Sequence, residues 1–253
     1  MNELVSIIMP TYNCAPYIAS TIKSVLAQTY SNWELLIVDD CSADNTETIV
    51  SAFDDLRIFY FKNEVNMGAA SSRNFALRQA KGKWVAFLDS DDLWMPDKLE
   101  KQLAFMSENH YDFSCTDYIV ETSDGTRLPY IFTSPNKVTK RMLYNYCYFS
   151  TITVIYNRES VGLVQIANLE KNNDYAMWFQ VAEKADCYRF PEALSVYRKR
   201  KGSLSSGSKF KLIKHHYYLF RIALDKPRII ACFLTLNNIF FGILKKLFYK
   251  KKM

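Results

Sequence analysis

The chain has 253 residues, 49% of them hydrophobic, which suits one large α/β domain and favours neither a disordered chain nor a multi-span membrane protein. The net charge is +6, and the positive charge is concentrated at one end, because residues 198–253 contain 15 Lys and Arg and one acidic residue. This asymmetry predicts an anionic partner, either membrane phosphate or nucleic acid. The alternative is a basic end that only aids solubility. The six cysteines lie at positions 14, 41, 115, 147, 187 and 232. They are too far apart in sequence to predict a disulfide framework or a zinc site, and a protein without disulfides is typical of the reducing cytoplasm.

Short apolar runs alternate with helical periodicity in the first half of the chain. The N-terminal run has no basic stretch before it, so we expect a first strand there and not a signal peptide. The runs predict strands at 4–9, 34–38, 57–61 and 84–88. The segments between them predict helices at 16–27, 44–53, 69–80 and 96–106, with a capping box at Asp44 and Glu47, Gly82 as the C′ residue of the third helix and Pro96 opening the fourth. This alternation predicts a parallel, doubly wound sheet.

Acidic residues follow two of these strands. Asp39-Asp40 and the segment 89–92 stand at strand C-termini, where ligands bind in such sheets, so both are expected to face one crevice. Asp89 and Asp91 project from the same side of an extended segment and could share one cation of the Mg²⁺ or Mn²⁺ type with a substrate phosphate. The alternative is a solvated turn before a helix, but four apolar residues directly upstream favour a turn fixed to a buried strand.

The second half is mixed. It predicts strands at 113–121 and 151–156, a helix at 172–184 and short strands over 188–197 broken at Pro191. A helical extension is expected from about Ser206, which divides the chain into a domain over 1–205 and a basic, apolar extension over 206–253.

The extension contains an apolar stretch from Ile229 to Leu244, which is short for a membrane span of roughly 20 residues. On a helical wheel its polar residues share a narrow arc opposite a wide apolar arc, and basic residues flank it. This pattern predicts a helix lying in the membrane interface and fits lipid better than nucleic acid. The alternative is a helix packed on the protein itself or on a second copy, as in a homo-oligomer.

Several ordered motifs within residues 4–107 resemble one family. They are Val5-Ser-Ile-Ile-Met-Pro-Thr-Tyr-Asn13, Ile22-x-x-Val25-x-x-Gln28, Trp33-Glu-Leu-Leu-Ile-Val-Asp-Asp40, Asn66-x-Gly68-x-x-x-x-Arg73-Asn74 and Phe87-Leu-Asp-Ser-Asp-Asp-Leu-Trp-Met-Pro-Asp97. The chain is similar to inverting family-2 glycosyltransferases of the GT-A fold, notably bacterial enzymes that build O-antigen, capsule or teichuronic acid. The resemblance implies a Rossmann-like, mostly parallel sheet flanked by helices. It also implies transfer of a hexose from a UDP-sugar, such as UDP-glucose or UDP-galactose, to a polyprenyl-diphosphate-linked saccharide at the cytoplasmic face of the inner membrane.

The resemblance implies binding roles at single positions. Tyr12 would stack on the base, Asp40 would accept a hydrogen bond from uracil, and Arg73 would approach ribose or diphosphate. Asp89 would contact the ribose or sugar and share a Mn²⁺ or Mg²⁺ ion with Asp91, its main ligand. The remaining residues expected to line the nucleotide-sugar site are Pro10, Thr11, Asn66, Gly68, Ser90 and Arg200. Plainer alternatives are packing for Tyr12, a surface ion pair for Arg73 and helix capping for Asp40.

Inversion requires a base for the acceptor hydroxyl, and the resemblance assigns that role to Asp174. An Asp near a helix start also acts as a cap, which is the alternative here. Asn173 stands where the family usually has Glu, and Arg200 stands where a metal-binding His is frequent. A charged Arg does not ligate metal, so the third protein ligand is open, and Arg200 or Arg198 could clamp the diphosphate instead.

Two other function classes stay open. These departures fit a catalytically silent subunit that only binds a sugar nucleotide. A nucleotidyltransferase would also use an α/β sheet with acidic metal ligands. That class normally carries a Gly-rich phosphate loop near the first strand, whereas residues 10–16 contain no Gly.

Overall fold

A parallel sheet forms the first half of the molecule, which this computed structural model describes for residues 2–200 and 209–252. Its strands lie in the order β4-β1-β2-β3: β1 (Val5–Thr11), β2 (Trp33–Asp39), β3 (Ile58–Lys62) and β4 (Trp84–Phe87). They alternate with the helices α1 (Ala15–Leu26), α2 (Thr46–Ser51) and α3 (Ala69–Gln79). Successive residues of β1 enter hydrophobic cores on opposite faces of the sheet, Ile8 on one and Ile7 and Met9 on the other. The predicted doubly wound arrangement is confirmed.

Strand β6 extends the sheet into the second half. The first residues of β6 (Phe113–Glu121) pair antiparallel with β9 (Val154–Asn157), which in turn pairs antiparallel with β4. The other edge of β6 pairs in parallel with β10 (Cys187–Arg198). The result is a mixed, mostly parallel sheet flanked by helices, as the GT-A resemblance implied.

The remaining elements cover this sheet and extend its edges. The strands are β5 (Leu93–Trp94), β7 (Arg127–Phe132), β8 (Lys137–Val138) and β11 (Lys250–Lys252). The helices are α4 (Lys98–Glu108), α5 (Lys140–Leu143), α6 (Arg158–Val161), α7 (Asn173–Val181), α8 (Lys209–Tyr218) and α9 (Arg228–Phe248), with a 3-10 turn at Thr151–Thr153 and a π-helix at Leu219–Ala223. The predicted boundary at 205 and the helix start at Ser206 lie outside the described residues.

Two helices begin at residues other than those predicted from local capping patterns. The Asp44 carboxylate does not form a capping box but accepts hydrogen bonds from Ala15 N, 3.0 Å away, and from Thr46, so it ties the start of α1 to that of α2. Helix α4 begins at Lys98, two residues after Pro96, the predicted first residue. Both patterns correctly predicted that a helix begins nearby, but contacts with distant residues determine which residue starts its first turn.

Two strand predictions in the second half were also wrong in detail. The segment predicted as a strand from Thr151 begins as a 3-10 turn, and only Val154–Asn157 joins the sheet. Strand β10 runs through Pro191 without ending. Its register against β6 shifts between Phe190 and Ala193, and a bulge of this kind accommodates a residue that has no N–H to donate.

Helix α9 packs on the domain through its polar side. Thr235 and Asn238 are buried, and Asn238 Nδ2 donates to Tyr175 Oη at 2.8 Å. Lys245 Nζ donates to the carbonyl of Cys147 at 3.2 Å. The wide apolar arc faces outward: its exposed members are Ile229, Phe233, Leu236, Phe240, Ile243 and Leu247. Among the described residues α9 is the one helix that is long and apolar enough, by length and composition, to cross a membrane, and 17% of its segment from Arg228 to Lys245 is buried in the protein.

Gly82 is not the C′ residue of α3, because α3 ends at Gln79 with Ala80 as its C-cap. Its backbone N–H donates to Ser6 Oγ at 2.8 Å, and a Cβ at this position would lie 2.7 Å from Leu4 O and from Ser6 N. The close approach of the chain to β1 therefore requires glycine here.

Replacing Gly82 by alanine is expected to destabilise the protein by about 1–3 kcal/mol, because a methyl group must displace the backbone of β1. Urea unfolding followed by tryptophan fluorescence measures the change. Lys81→Ala is the matched control, since the Lys81 side chain is exposed. Equal stability of the two variants would contradict the close-approach explanation.

Candidate active site

The acidic strand ends meet at one edge of the sheet. Strand β1 lies between β2 and β4 and all three run in parallel, so Asp39-Asp40 and the turn after β4 flank the end of β1. The buried carbonyl of Ser90, in that turn, accepts hydrogen bonds from Thr21 Oγ1 at 2.9 Å and from Cys14 Sγ at 3.3 Å. The turn is thus fixed to α1, and the two acidic segments lie at the same edge of the sheet, the region called the crevice below.

Asp40 organises the loop that leads into α3. Its buried carboxylate accepts hydrogen bonds from Asn63 Nδ2 at 2.9 Å, Met67 N at 2.8 Å and Gly68 N at 2.7 Å. Gly68 has φ +87°, a left-handed conformation that glycine adopts without strain, where the chain enters the helix. A carboxylate offers about four acceptor positions, so about one is left for a uracil N–H. No local pattern identifies Asn63 as a partner of Asp40, because the two residues are 23 positions apart along the chain.

Tyr12 is presented to solvent by a fixed loop. Its side chain is 47% exposed, whereas Pro10 and Thr11 before it are buried. The next residue, Asn13, donates its N–H to Ser42 Oγ at 2.8 Å and accepts from Ala43 N at 2.9 Å. The ring is therefore available to stack on a base at the rim of the crevice. Asn66, in the loop before α3, is also exposed.

Arg73 joins three elements in the floor of the crevice. Its guanidinium donates from Nη2 to Asp89 Oδ1 at 2.6 Å and from Nη1 to Asn173 Oδ1 at 3.2 Å. Burial alone lowers the pKa of a guanidinium, but the nearby carboxylates of Asp89, Asp174 and Asp91 outweigh it and raise the pKa of Arg73. The ion pair is internal, and the surface ion pair considered as an alternative is wrong: the Arg73 side chain is 9% exposed.

Asp91 is paired with Arg200. Nε of Arg200 lies 2.6 Å from Asp91 Oδ2, an ion pair in which Nε makes no aligned hydrogen bond to any described residue. Burial, together with the charge of Asp89, raises the pKa of the Asp91 carboxyl despite the neighbouring arginines. Burial, followed by the negative charges of Asp91 and Asp89, raises the pKa of Asp92 well above its usual range.

Arg198 has a structural role. Its backbone N–H donates to Asp92 Oδ1 at 2.7 Å, and its guanidinium donates to Thr21 Oγ1 at 2.8 Å and Ser20 Oγ at 2.7 Å on α1. A further hydrogen bond reaches the carbonyl of Asp91. Arg198 therefore fastens the end of β10 to the acidic turn, and of the two arginines considered for the diphosphate only Arg200 keeps a side chain directed at the carboxylates.

Asp174 stands in the first turn of α7, half-buried, beside the Arg73 bridge. Its Oδ2 accepts a hydrogen bond from Thr151 Oγ1 at 2.6 Å. Asn172, the residue before α7, adopts a left-handed conformation with φ +59°, which turns the chain into the helix. A carboxylate held in this way can take the proton of a bound hydroxyl. Thr151 was not identified from the sequence, since a lone Thr between strands has no local pattern.

A divalent cation fits this site only together with further oxygen ligands from a bound diphosphate. No group of three or more potential metal-ligating side chains occurs among the described residues. Asp89 and Asp91 supply carboxylate oxygens, which together with phosphate oxygens are the donors that Mg²⁺ or Mn²⁺ accepts. The donor set therefore fits an ion shared with a bound diphosphate, and Arg200 adds no ligand.

Comparisons with known proteins agree with this geometry. Residues 6–163 match the family model described as glycosyl transferase family 2. The chain is 41% identical over 221 residues to the putative teichuronic acid biosynthesis glycosyltransferase TuaG of Bacillus subtilis, covering 86% of this chain and 87% of TuaG. It is 37% identical over 247 residues to WfgD of Escherichia coli, a UDP-Glc:α-D-GlcNAc-diphosphoundecaprenol β-1,3-glucosyltransferase, covering 97% of this chain and 96% of WfgD.

A solved structure shares the fold. The mannosyltransferase PcManGT from Pyrobaculum calidifontis, in complex with GDP-Man and Mn²⁺, superposes with a TM-score of 0.68 at 19% identity, over 98% of this chain and 74% of that one. At this identity the likeness supports the fold alone.

Asp40→Asn is expected to reduce stability by about 1–3 kcal/mol and to weaken nucleotide binding, because an amide offers one acceptor oxygen where three donors converge. Thermal unfolding and calorimetric titration with UDP measure the two effects. Asp54→Asn is the matched control, since Asp54 is exposed. Unchanged stability in the Asp40 variant would show that the loop does not depend on this carboxylate.

Proposed function

This chain belongs to glycosyl transferase family 2, and we propose that it transfers a hexose from a UDP-sugar, such as UDP-glucose or UDP-galactose, to a hydroxyl of a polyprenyl-diphosphate-linked saccharide. A glycosyltransferase with a role in polysaccharide synthesis is what its relatives indicate. The finer choice of donor and acceptor is supported by WfgD, which aligns along nearly its whole length.

The observation that carries the proposal is the position of Asp174. The Thr151 hydrogen bond holds its carboxylate beside the Arg73–Asp89 pair, at the crevice where the donor diphosphate is expected. In a single inverting displacement, the acceptor hydroxyl attacks the anomeric carbon as the bond to the diphosphate breaks, and Asp174 takes the hydroxyl proton. Such a displacement forms no covalent enzyme intermediate, so one base suffices.

The donor is proposed to lie across the strand ends. Tyr12 stacks on the base, the remaining acceptor position of Asp40 receives the uracil N–H, and Arg73 provides a fixed positive charge near the diphosphate. Pro10, Thr11, Asn66, Gly68, Ser90 and Arg200 line the rest of the nucleotide-sugar site.

A Mn²⁺ or Mg²⁺ ion would be held by Asp91, with Asp89 contributing. When bound, it would neutralise negative charge on the departing diphosphate. In support, this pair of carboxylates follows a buried strand at the crevice, with Asp91 17% exposed.

A catalytically silent binding subunit is the alternative. It drew support from Asn173, which replaces the usual Glu. In the structure the Asn173 amide oxygen accepts from Arg73 and so takes part in the floor of the site, which removes one reason for expecting loss of activity.

The membrane partner is proposed to contact α9. A soluble domain would place the apolar side of such a helix inward, whereas here the polar side is packed on the protein and the apolar side is exposed. Lys226, Arg228 and 250–252 surround this surface with positive charge, which suits anionic lipid and not a second copy carrying the same charges. A peripheral position on the cytoplasmic face of the inner membrane follows, where the lipid-linked acceptor is expected.

Asp174→Asn is expected to lower transfer about 10²- to 10⁴-fold while UDP binding is retained, since the amide keeps the shape but cannot take the proton. The assay combines UDP-glucose or UDP-galactose, Mn²⁺ and a synthetic GlcNAc-diphosphate lipid. Asp186→Asn, in the surface pair with Lys137, is the control. Full activity of the Asp174 variant would eliminate it as the base, and wild-type protein that binds UDP but transfers no sugar would favour the silent subunit.

The double variant Leu236→Ser/Leu247→Ser is expected to bind phosphatidylglycerol vesicles about a hundredfold more weakly, or weaker still, because each leucine buried in lipid contributes about 1.5–3 kcal/mol. Co-sedimentation with the vesicles measures this affinity. Leu56→Ser/Leu163→Ser is the matched control, with two exposed leucines elsewhere on the surface. Equal sedimentation of both double variants would contradict the role of α9. A stable dimer in vesicle-free solution that the α9 variant dissociates would show that the surface binds a second copy instead.

A further inference from the structure

Each carboxylate of the Asp89-x-Asp91 motif already has a cationic partner. Nη2 of Arg73 lies 2.6 Å from Asp89 Oδ1, and Nε of Arg200 lies 2.6 Å from Asp91 Oδ2. Within these two ion pairs the negative and positive charges balance. A divalent cation entering alone would meet two guanidinium groups and leave two uncompensated positive charges in a partly buried site, which is costly.

The two arginines are held differently. The Arg73 side chain is 9% exposed and donates aligned hydrogen bonds to Asp89 and to Asn173, so its removal would leave buried polar groups without partners. The Arg200 side chain is 30% exposed, and its Nε makes a close charge contact with Asp91 without an aligned hydrogen bond. Of the two carboxylates, Asp91 is therefore the one whose partner can be exchanged at low cost.

We propose that Arg200 makes metal binding conditional on the donor: it occupies Asp91 until a diphosphate enters, then moves its charge onto the phosphate oxygens and frees Asp91 for the metal ion. A nucleotide-sugar diphosphate carries two negative charges, so diphosphate and divalent cation together leave the balance of the site unchanged. A guanidinium also binds phosphate well, through parallel N–H donors. This inference rests on the proposed function, since it takes a nucleoside diphosphate as ligand.

The exchange has a thermodynamic signature. If UDP strengthens Mn²⁺ binding by some factor, Mn²⁺ must strengthen UDP binding by the same factor. Arg200 contributes to this factor by opposing the metal when UDP is absent. A variant without the guanidinium is expected to bind Mn²⁺ more tightly on its own and UDP more weakly in chelator.

The test measures free Mn²⁺ by electron paramagnetic resonance in titrations of the full-length protein, with and without UDP, and UDP binding by calorimetry with and without chelator. In the absence of UDP, Arg200→Ala is expected to bind Mn²⁺ at least about tenfold more tightly than wild type, the scale of one close charge pair. Arg200→Lys keeps the positive charge, and its Mn²⁺ affinity in the absence of UDP is expected to lie between those of wild type and Arg200→Ala. Arg127→Ala, which removes an exposed arginine paired with Glu121, should behave as wild type.

The outcomes separate the inference from the function. Wild-type protein that binds UDP, yet has the same Mn²⁺ affinity with and without it, would overturn the gating role of Arg200 alone. So would Arg200→Ala and wild type binding Mn²⁺ equally in the absence of UDP. Wild-type protein that binds no UDP, even with Mn²⁺, would instead count against the proposed function. Unchanged circular dichroism and melting temperature confirm that the variants are folded.

Discussion

The buried charge of Arg73 is the constraint on which the rest of the crevice depends. A guanidinium that is 9% exposed must be compensated, and the compensating groups come from the turn after β4, through Asp89, and from the start of α7, through Asn173. Removing the Asp89 carboxylate would leave the buried charge without its ion-pair partner, which is strongly destabilising, and removing the Asn173 amide would leave a buried N–H donor without an acceptor. The same contact therefore holds the acidic turn after β4 against the helix that carries Asp174.

Much of the first half could be predicted because its signals are local. The apolar runs around Ile8, Ile37 and Ala86 are buried strands, and their parallel order brings Asp40 and Asp91 to the same edge. The second half depends on pairings between distant segments. No local pattern shows that β11 pairs with β7, or that a bulge carries β10 past a proline.

The candidate site divides in the same way. The resemblance supplied residue types at the strand ends, but contacts between distant residues decide what each does. Asp40 was expected to meet a base, and most of its acceptor capacity holds the Asn63 side chain and the loop before α3. Asn173 was read as a departure from the family, yet its amide accepts from Arg73. These contacts could not be read from the chain, since they join segments that are remote in sequence.

Helix α9 is hydrogen-bonded to the same region through Asn238 and Tyr175, whose neighbour is Asp174, and β11 after it joins the sheet edge. Both parts of this segment are thus attached to the domain, the helix through Asn238 and β11 through the sheet. In the membrane-bound arrangement proposed above, this helix of 21 residues, about 31 Å long, would set both the tilt of the domain on the bilayer and the height of Asp174 above the lipid surface. The acceptor proposed above would then need enough length for its terminal sugar to reach that height, so selection by length would accompany selection by chemistry.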